Sequence, residues 1–229
     1  MKNVAVISGD IISSTSLVLE DRVILEEKLK DLLKTLDERW GIYGRVIKGD
    51  YLECVCQNPG DALRVAMLVK SFVKSFDPRQ ADNREDNNRI SLFKTHGIRL
   101  AIAVGELSRF DPKKGVIDGE AVYLSGRLIN QSPSSQGKER VVIKNTLFFT
   151  SHYERLNEQM EPVMGLLDVI MSKSTARQSE VLYWKLLGYT ELEIAKKLQI
   201  SQSVVNQHST SVGWNSIEKT VEYFSRTIK

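Results

Sequence analysis

Two aspartates stand where apolar strands end. The segment "VAVISGDIISST" carries Asp10, and "VIKGDYLECV" carries Asp50, each directly after a glycine. Burying a carboxylate beside an apolar strand is unfavourable unless the group is paired or hydrogen-bonded. A single aspartate in a turn is accounted for by the backbone N–H groups whose hydrogen bonds it accepts. Two aspartates that face each other repel, and their closeness is explained by a hard divalent cation or a shared proton between them. Asp10 and Asp50 are therefore candidate metal ligands for Mg²⁺ or Mn²⁺, provided the fold brings them together.

The elements between and after them say how that happens. "NVAVI" reads as a strand buried on both faces. A helix follows from about Glu20 to Glu38, with Val23, Leu25, Leu29, Leu32, Leu33 and Leu36 near 3.6 periodicity. "IYGRVIKGDYLECVC" reads as two strands joined at Lys48-Gly49-Asp50, glycine giving the turn its freedom. "GDALRVAMLVKSFVKSF" is a second amphipathic helix, and "DPRQADNREDNNR" reads as a mobile polar surface loop. "GIRLAIAVGEL" is an apolar strand, "SRFDPKKGVIDG" a loop, "EAVYLSGRLINQ" a short helix and "RVVIKNTLFFT" a further strand.

This βαββαβ order predicts an α+β, ferredoxin-like sandwich with an antiparallel sheet. In that topology the third strand lies between the first and second and runs opposite to both. The end of the first then adjoins the start of the third, which is where Asp10 and Asp50 stand.

Composition limits the alternatives. At 229 residues the chain suits one domain plus a smaller module. It is 41% apolar and 27% charged, with no run approaching the roughly 20 apolar residues of a membrane span. The start, "MKNVAVISGD", lacks the features of a secretory signal, so a cytoplasmic protein is expected. Cys54 and Cys56 alternate along one strand and point to one face, as small apolar groups rather than a disulfide or metal site. Residues 1 to 171 hold 24 basic and 24 acidic residues, whereas residues 172 to 229 hold 8 and 5. The whole net charge of +3 lies in the last quarter, as in a polyanion-binding tail.

That quarter carries repeated helix-start chemistry. Thr175 with Gln178, and Thr190 with Glu193, each match a capping box, and Ser201 is the expected cap of a third helix. In that third helix Val205, His208 and Val212 share an inward face, His208 as a packed residue. Gln202, Ser203, Asn206, Gln207 and Thr210 face out, with donors and acceptors suited to base edges and phosphates. Lys185, Lys196 and Lys197 would meet phosphates. A helix, a tight turn and a helix make a helix-turn-helix, although such units also serve as docking elements.

The first half resembles the class III nucleotidyl cyclase fold. "GDIISS", the Gly-Asp at 49 and 50, "HGIRLAIAVGEL" and "DGEAVYLSGRL" carry the resemblance. It implies that Asp10 and Asp50 hold two metal ions, Mg²⁺ or Mn²⁺, that bind a nucleoside triphosphate, with Lys48 and Arg127 as nucleotide-binding residues. Arg127 takes the place of the family's transition-state arginine. The family's asparagine is replaced by Tyr123, and its base-selecting lysine and acidic residue by Val46 and Val116, although Arg45, Lys48 and Asp118 are near. No catalytic residue is assigned. With "RQSEVLYWKLLGYTELEIAKKLQISQSVVNQ", which resembles the LuxR and sigma region 4 types, the whole chain resembles the SatD family.

That resemblance implies a cyclase-like domain over residues 1–150, a connecting helix over 151–171 and a helix-turn-helix domain over 172–229. It implies a DNA-binding transcriptional regulator whose cyclase-like domain binds nucleotide or metal without catalysis. Two other readings stay open: an active cyclase or other two-metal phosphoryl-transfer enzyme, and an interaction module without DNA binding. Duplex DNA and a second copy of the chain are the expected partners, the homodimer forming by analogy through the N-terminal domain.

Overall fold

The computed structural model describes residues 3–80, 84–131 and 145–228. The first strand, β1 (Val4–Ile11), runs on past the predicted apolar run and takes in Asp10. Helix α1 (Leu19–Trp40) buries Leu25, Leu29, Leu32, Leu33 and Leu36 of the predicted stripe, leaves Val23 47% exposed in its first turns, and stops at Gly41, where φ is 63°. Strands β2 (Tyr43–Ile47) and β3 (Tyr51–Cys56) form the predicted hairpin. Lys48 and Gly49 both have positive φ, 54° and 82°, within the three-residue turn Lys48-Gly49-Asp50 that joins the strands.

Helix α2 (Ala62–Ser75) is buried on almost every side. Helix α3 (Arg84–His96), strand β4 (Ile98–Gly105), a small hairpin of β5 (Arg109–Asp111) and β6 (Val116–Asp118), helix α4 (Glu120–Gln131) and strand β7 (Leu147–Ser151) follow. Five helices close the chain: α5 (Glu154–Lys173), α6 (Ala176–Leu186), α7 (Glu191–Leu198), α8 (Gln202–Ser211) and α9 (Trp214–Thr227).

The main sheet has the order β2-β3-β1-β4-β7. Its first four strands are antiparallel to their neighbours, and β7 joins parallel to β4. β3 therefore lies between β1 and β2, as the ferredoxin-like reading requires. Side chains alternate between two covered faces. Ala5, Ile7, Leu52, Cys54, Cys56, Leu100 and Ile102 enter the large core with α1 and α2, while Val4, Val6 and Val55 meet Ile117 and Ala121 on the other side. Both cysteines are free, buried and on one face, as expected.

Two loop expectations are corrected. The polar run 77–89 is helical from Arg84, because α3 is anchored further on by buried Ile90 and Phe93 and begins with Glu85 and Asp86, which suit a helix N-terminus. Residues 81–83 lie outside the described residues. The segment 108–119 is the β5–β6 hairpin, whose Phe110 packs edge-on to Tyr43 at 5.7 Å. Of the strand expected over 140–150, the described part begins at Leu147, and residues 140–144 lie outside the described residues.

The core does not stop at the sheet's own helices. Leu182, Tyr183, Leu186, Ile217, Val221 and Phe224 of α6 and α9 belong to the same cluster as α2. A polar network crosses it. Lys70 of α2, fully buried, donates to the Ile98 carbonyl at 3.0 Å and the Thr146 hydroxyl at 2.6 Å, and its Nζ lies 3.2 Å from Asp168 of α5. No helix among the described residues is long and apolar enough to cross a membrane.

Candidate metal and nucleotide site

Asp10 sits across β3 from Tyr51 and across β4 from Arg99. Along β1 it follows Ser8, whose hydroxyl donates to Ser125 of α4 at 2.8 Å, so Asp10 is on the α4 side of the sheet. The hairpin turn brings Asp50 alongside. Its carbonyl accepts from the Ile11 N–H at 2.9 Å, and its carboxylate accepts from the Ser14 hydroxyl at 2.9 Å. Burial pushes the Asp10 carboxyl above its ordinary pKa, the Arg99 guanidinium opposes this, and the Asp50 charge adds to it. The Asp50 charge thus acts on Asp10, though less than burial and Arg99 do.

Arg99 went unnoticed in the sequence reading. It is almost wholly buried, its Nη1 lies 3.7 Å from Asp10, and its Nε has no hydrogen-bond partner among the described residues. The signal was a single arginine inside "IRLAIAVG", an otherwise apolar strand, where a charge is costly unless it answers another charge.

Beside Asp50 lies a cavity of about 340 Å³ between the end of β1, the start of α1 and the hairpin. Ser14, Thr15, Arg22, Glu26, Lys48 and Asp50 supply its polar groups, Glu26 being paired with Lys30 at 2.6 Å. Two cations, two hydroxyls and the Asp50 carboxylate suit a polyphosphate carried with a divalent ion, with Glu26 engaged by Lys30. Arg22, Ser14 and Thr15 were also missed, because nothing in their spacing marks them. Lys48 lines this cavity; Arg127 does not, being exposed on α4.

The residues present fit Mg²⁺ in the form that ion usually takes. It binds one or two carboxylates and completes its shell with water and substrate phosphates, and Asp10 with Asp50 provide the two carboxylates. Among the described residues no cluster of three or more His, Cys, Asp or Glu side chains forms an all-protein cage.

The groups that stand near the altered cyclase positions are already engaged. Arg45 is held by Glu53 at 2.6 Å and by the Gly115 carbonyl. The Tyr123 hydroxyl donates to Asp118 at 2.5 Å, which raises the tyrosine's pKa.

In the last quarter both capping boxes are formed, and the Ser201 hydroxyl accepts from the Val204 N–H at 3.4 Å. Val205 and Val212 are buried and His208 is half-buried, whereas Gln202, Ser203, Asn206, Gln207 and Thr210 are exposed together on α8. Lys196 is exposed. Lys197 has its ammonium 4.8 Å from the ring centres of both Trp184 and Tyr189. Lys185 differs from expectation: it is turned in, over the Trp214 ring at 5.5 Å and 3.4 Å from Glu191. Glu191 also accepts from Asn206 at 3.4 Å.

No protein-family model matches the chain, and no curated protein matches it. Solved structures do. The non-canonical dimeric guanylyl cyclase domain of a fusion protein from the aquatic fungus Blastocladiella emersonii is 18% identical, with a TM-score of 0.41 over 57% of this chain and 75% of that one. A bacterial light-regulated adenylyl cyclase is 15% identical, with a TM-score of 0.41 over 65% of this chain and 43% of its own length. An adenylate cyclase from Trypanosoma brucei, in its monomeric state, is 17% identical, with a TM-score of 0.40 over 56% and 68%.

Proposed function

We propose that this protein is a cytoplasmic DNA-binding regulator of the SatD kind, whose cyclase-like sheet domain binds a nucleotide with Mg²⁺ or Mn²⁺. The observation that carries the binding half is the cavity beside Asp50 that Arg22 and Lys48 also line, with Asp10 at the end of the neighbouring strand feeling the Asp50 charge. Asp10 and Asp50 would hold the ion, which would supply positive charge to offset theirs and that of the phosphates. Lys48 and Arg22 offer charge-assisted hydrogen bonds to the phosphates, and Ser14 orients the Asp50 carboxylate.

α7 and α8 are the helix-turn-helix in this reading, within the 172–229 segment, whose α6 and α9 share the core of the sheet and α2. The outward set on α8 reads base edges, and Lys196 meets phosphate. Two such chains acting as a homodimer read paired half-sites. Calorimetry with Mn²⁺ and each nucleoside triphosphate tests the binding half; equal heats from the parent and from Asp10→Asn with Asp50→Asn would end it. Selection from random duplexes with the full-length chain tests the other half. Failure to enrich any sequence leaves α7 and α8 as a docking element.

A second reading, an active nucleotidyl cyclase, draws on the same acidic pair and cavity. Two-metal chemistry needs both ions clamped on the attacking and leaving oxygens, together with groups that hold the base and the transition-state charge. Tyr123 is tied to Asp118, Arg45 to Glu53, and Arg127 stands away from the cavity of its own chain. A cyclic product, found by chromatography and lost in Asp50→Asn, would establish this reading in place of the first.

A further inference from the structure

Helix α5 is apolar on two sides. Its inner stripe, Met160, Met164, Leu167 and Met171, is buried in the core. Its outer side carries Leu166, 68% exposed, and Val169, 51% exposed, among charged residues, with Val163 and Ile170 packed against the core on the flanks. Adjacent exposed apolar side chains rimmed by polar ones mark an interaction site. Among the described residues nothing lies over Gly165 in the middle of this side: a Cβ added there would meet no atom within 4 Å.

We infer that the outer side of α5 is a self-association surface, covered by α5 of a second copy running antiparallel. The charges choose the partner. Glu158 and Lys173 are exposed at opposite ends of the stripe, and neither makes an ion pair among the described residues. They are fifteen positions apart, about 22 Å along the helix, and their midpoint falls between Gly165 and Leu166. An antiparallel pair centred there sets Leu166 of each copy against Gly165 of the other, with the two leucines adjacent at the crossing, and Glu158 against Lys173 twice, as an isologous two-fold contact requires. A parallel pair would set like charges together at both ends. The open space at Gly165 lets the two backbones approach at the crossing.

This deepens the homodimer in the proposed function and places its seam on α5; the mass of the chain tests it independently of DNA or nucleotide binding. Sedimentation of the full-length protein at rising micromolar concentration is expected to reach twice 26.0 kDa. Leu166→Glu is expected to give the single-chain mass with an unchanged far-ultraviolet circular dichroism spectrum. Lys173→Glu alone should weaken association roughly tenfold, by turning two pairs repulsive, and Glu158→Lys added to it should restore the parent value. Leu166→Cys should form a disulfide-linked dimer on mild oxidation, since the two copies meet at that position. A parent that stays at the single-chain mass overturns the inference, and so does a dimer indifferent to Leu166→Glu or a charge swap that fails to restore association.

Discussion

Lys70 and Asp168 meet 3.2 Å apart in the interior, joining α2 to α5 through a contact in which both side chains are buried. Asp168 also accepts from the Thr146 N–H at 2.6 Å, so one carboxylate fixes a buried ammonium and the start of β7. Burial lowers the Lys70 pKa and Asp168 opposes that shift. Removing one partner strands the other. Asp168→Ala is expected to lower stability by about 3–5 kcal/mol, whereas Lys70→Met with Asp168→Leu should recover much of that loss. Urea denaturation followed by circular dichroism measures both; equal losses in the single and double variants would contradict the pairing.

At Asp10 the folded pKa lies above its ordinary value of 3.8, chiefly through burial. The ionised carboxylate therefore costs stability in the metal-free protein, and stability falls as pH rises through the interval between the unfolded and folded values. Asp10→Asn should melt higher than the parent at pH 7, with the difference shrinking as pH approaches 3.8. The same variant should lose the stabilisation that Mn²⁺ gives the parent. A lower melting temperature at pH 7 would show that Arg99 needs the carboxylate more than burial penalises it.

Cys54 and Cys56 are buried neighbours whose thiols are pushed upward, Cys54 to about 12. A thiol so far from ionisation is a poor nucleophile at pH 8. Ellman's reagent should find no reactive thiol in the native chain and two after denaturation. Rapid reaction of either in the native state would place it nearer solvent than the core allows.

On the face of α8 the two kinds of DNA contact are separable. Lys196→Ala should weaken binding to all sequences alike and reduce the salt slope by about 0.9 for one phosphate. Asn206→Ala or Gln207→Ala should instead reduce discrimination between sites by about 1–3 kcal/mol per lost bidentate contact. Lys197 is a poorer probe, because its ammonium rests on Trp184 and Tyr189 and its loss also disturbs packing. Titrations of a selected and a scrambled duplex at two salt concentrations distinguish the effects; identical changes for Lys196→Ala and Asn206→Ala would remove the distinction.

What was legible in the sequence followed from periodicity and turn chemistry. The stripe of α1, the Lys48-Gly49 turn and the caps at Thr175, Thr190 and Ser201 are local signals, and each is formed. The strand order also followed, because βαββαβ admits few unknotted arrangements. α3 was hidden since its apolar anchors, Ile90 and Phe93, come only after a run of polar residues. Arg99, Arg22 and Ser14 were hidden for another reason: they reach Asp10 or the Asp50 cavity from separate elements, and no local pattern records such a meeting.

The contact of α6 and α9 with α2 has a consequence for biosynthesis. Beside Gly60, just before α2, there is no room for a side chain: an added Cβ would stand 2.9 Å from the Ser225 carbonyl of α9. About 150 residues separate the end of α2 from the end of α9, and at 5–20 residues per second a ribosome needs roughly 8–30 s to make them. Throughout that interval the outer side of α2 faces water or a chaperone. Truncated or stalled nascent chains are therefore the forms of this protein most exposed to aggregation, and the final helix acts as the closing latch of a domain begun at the other terminus.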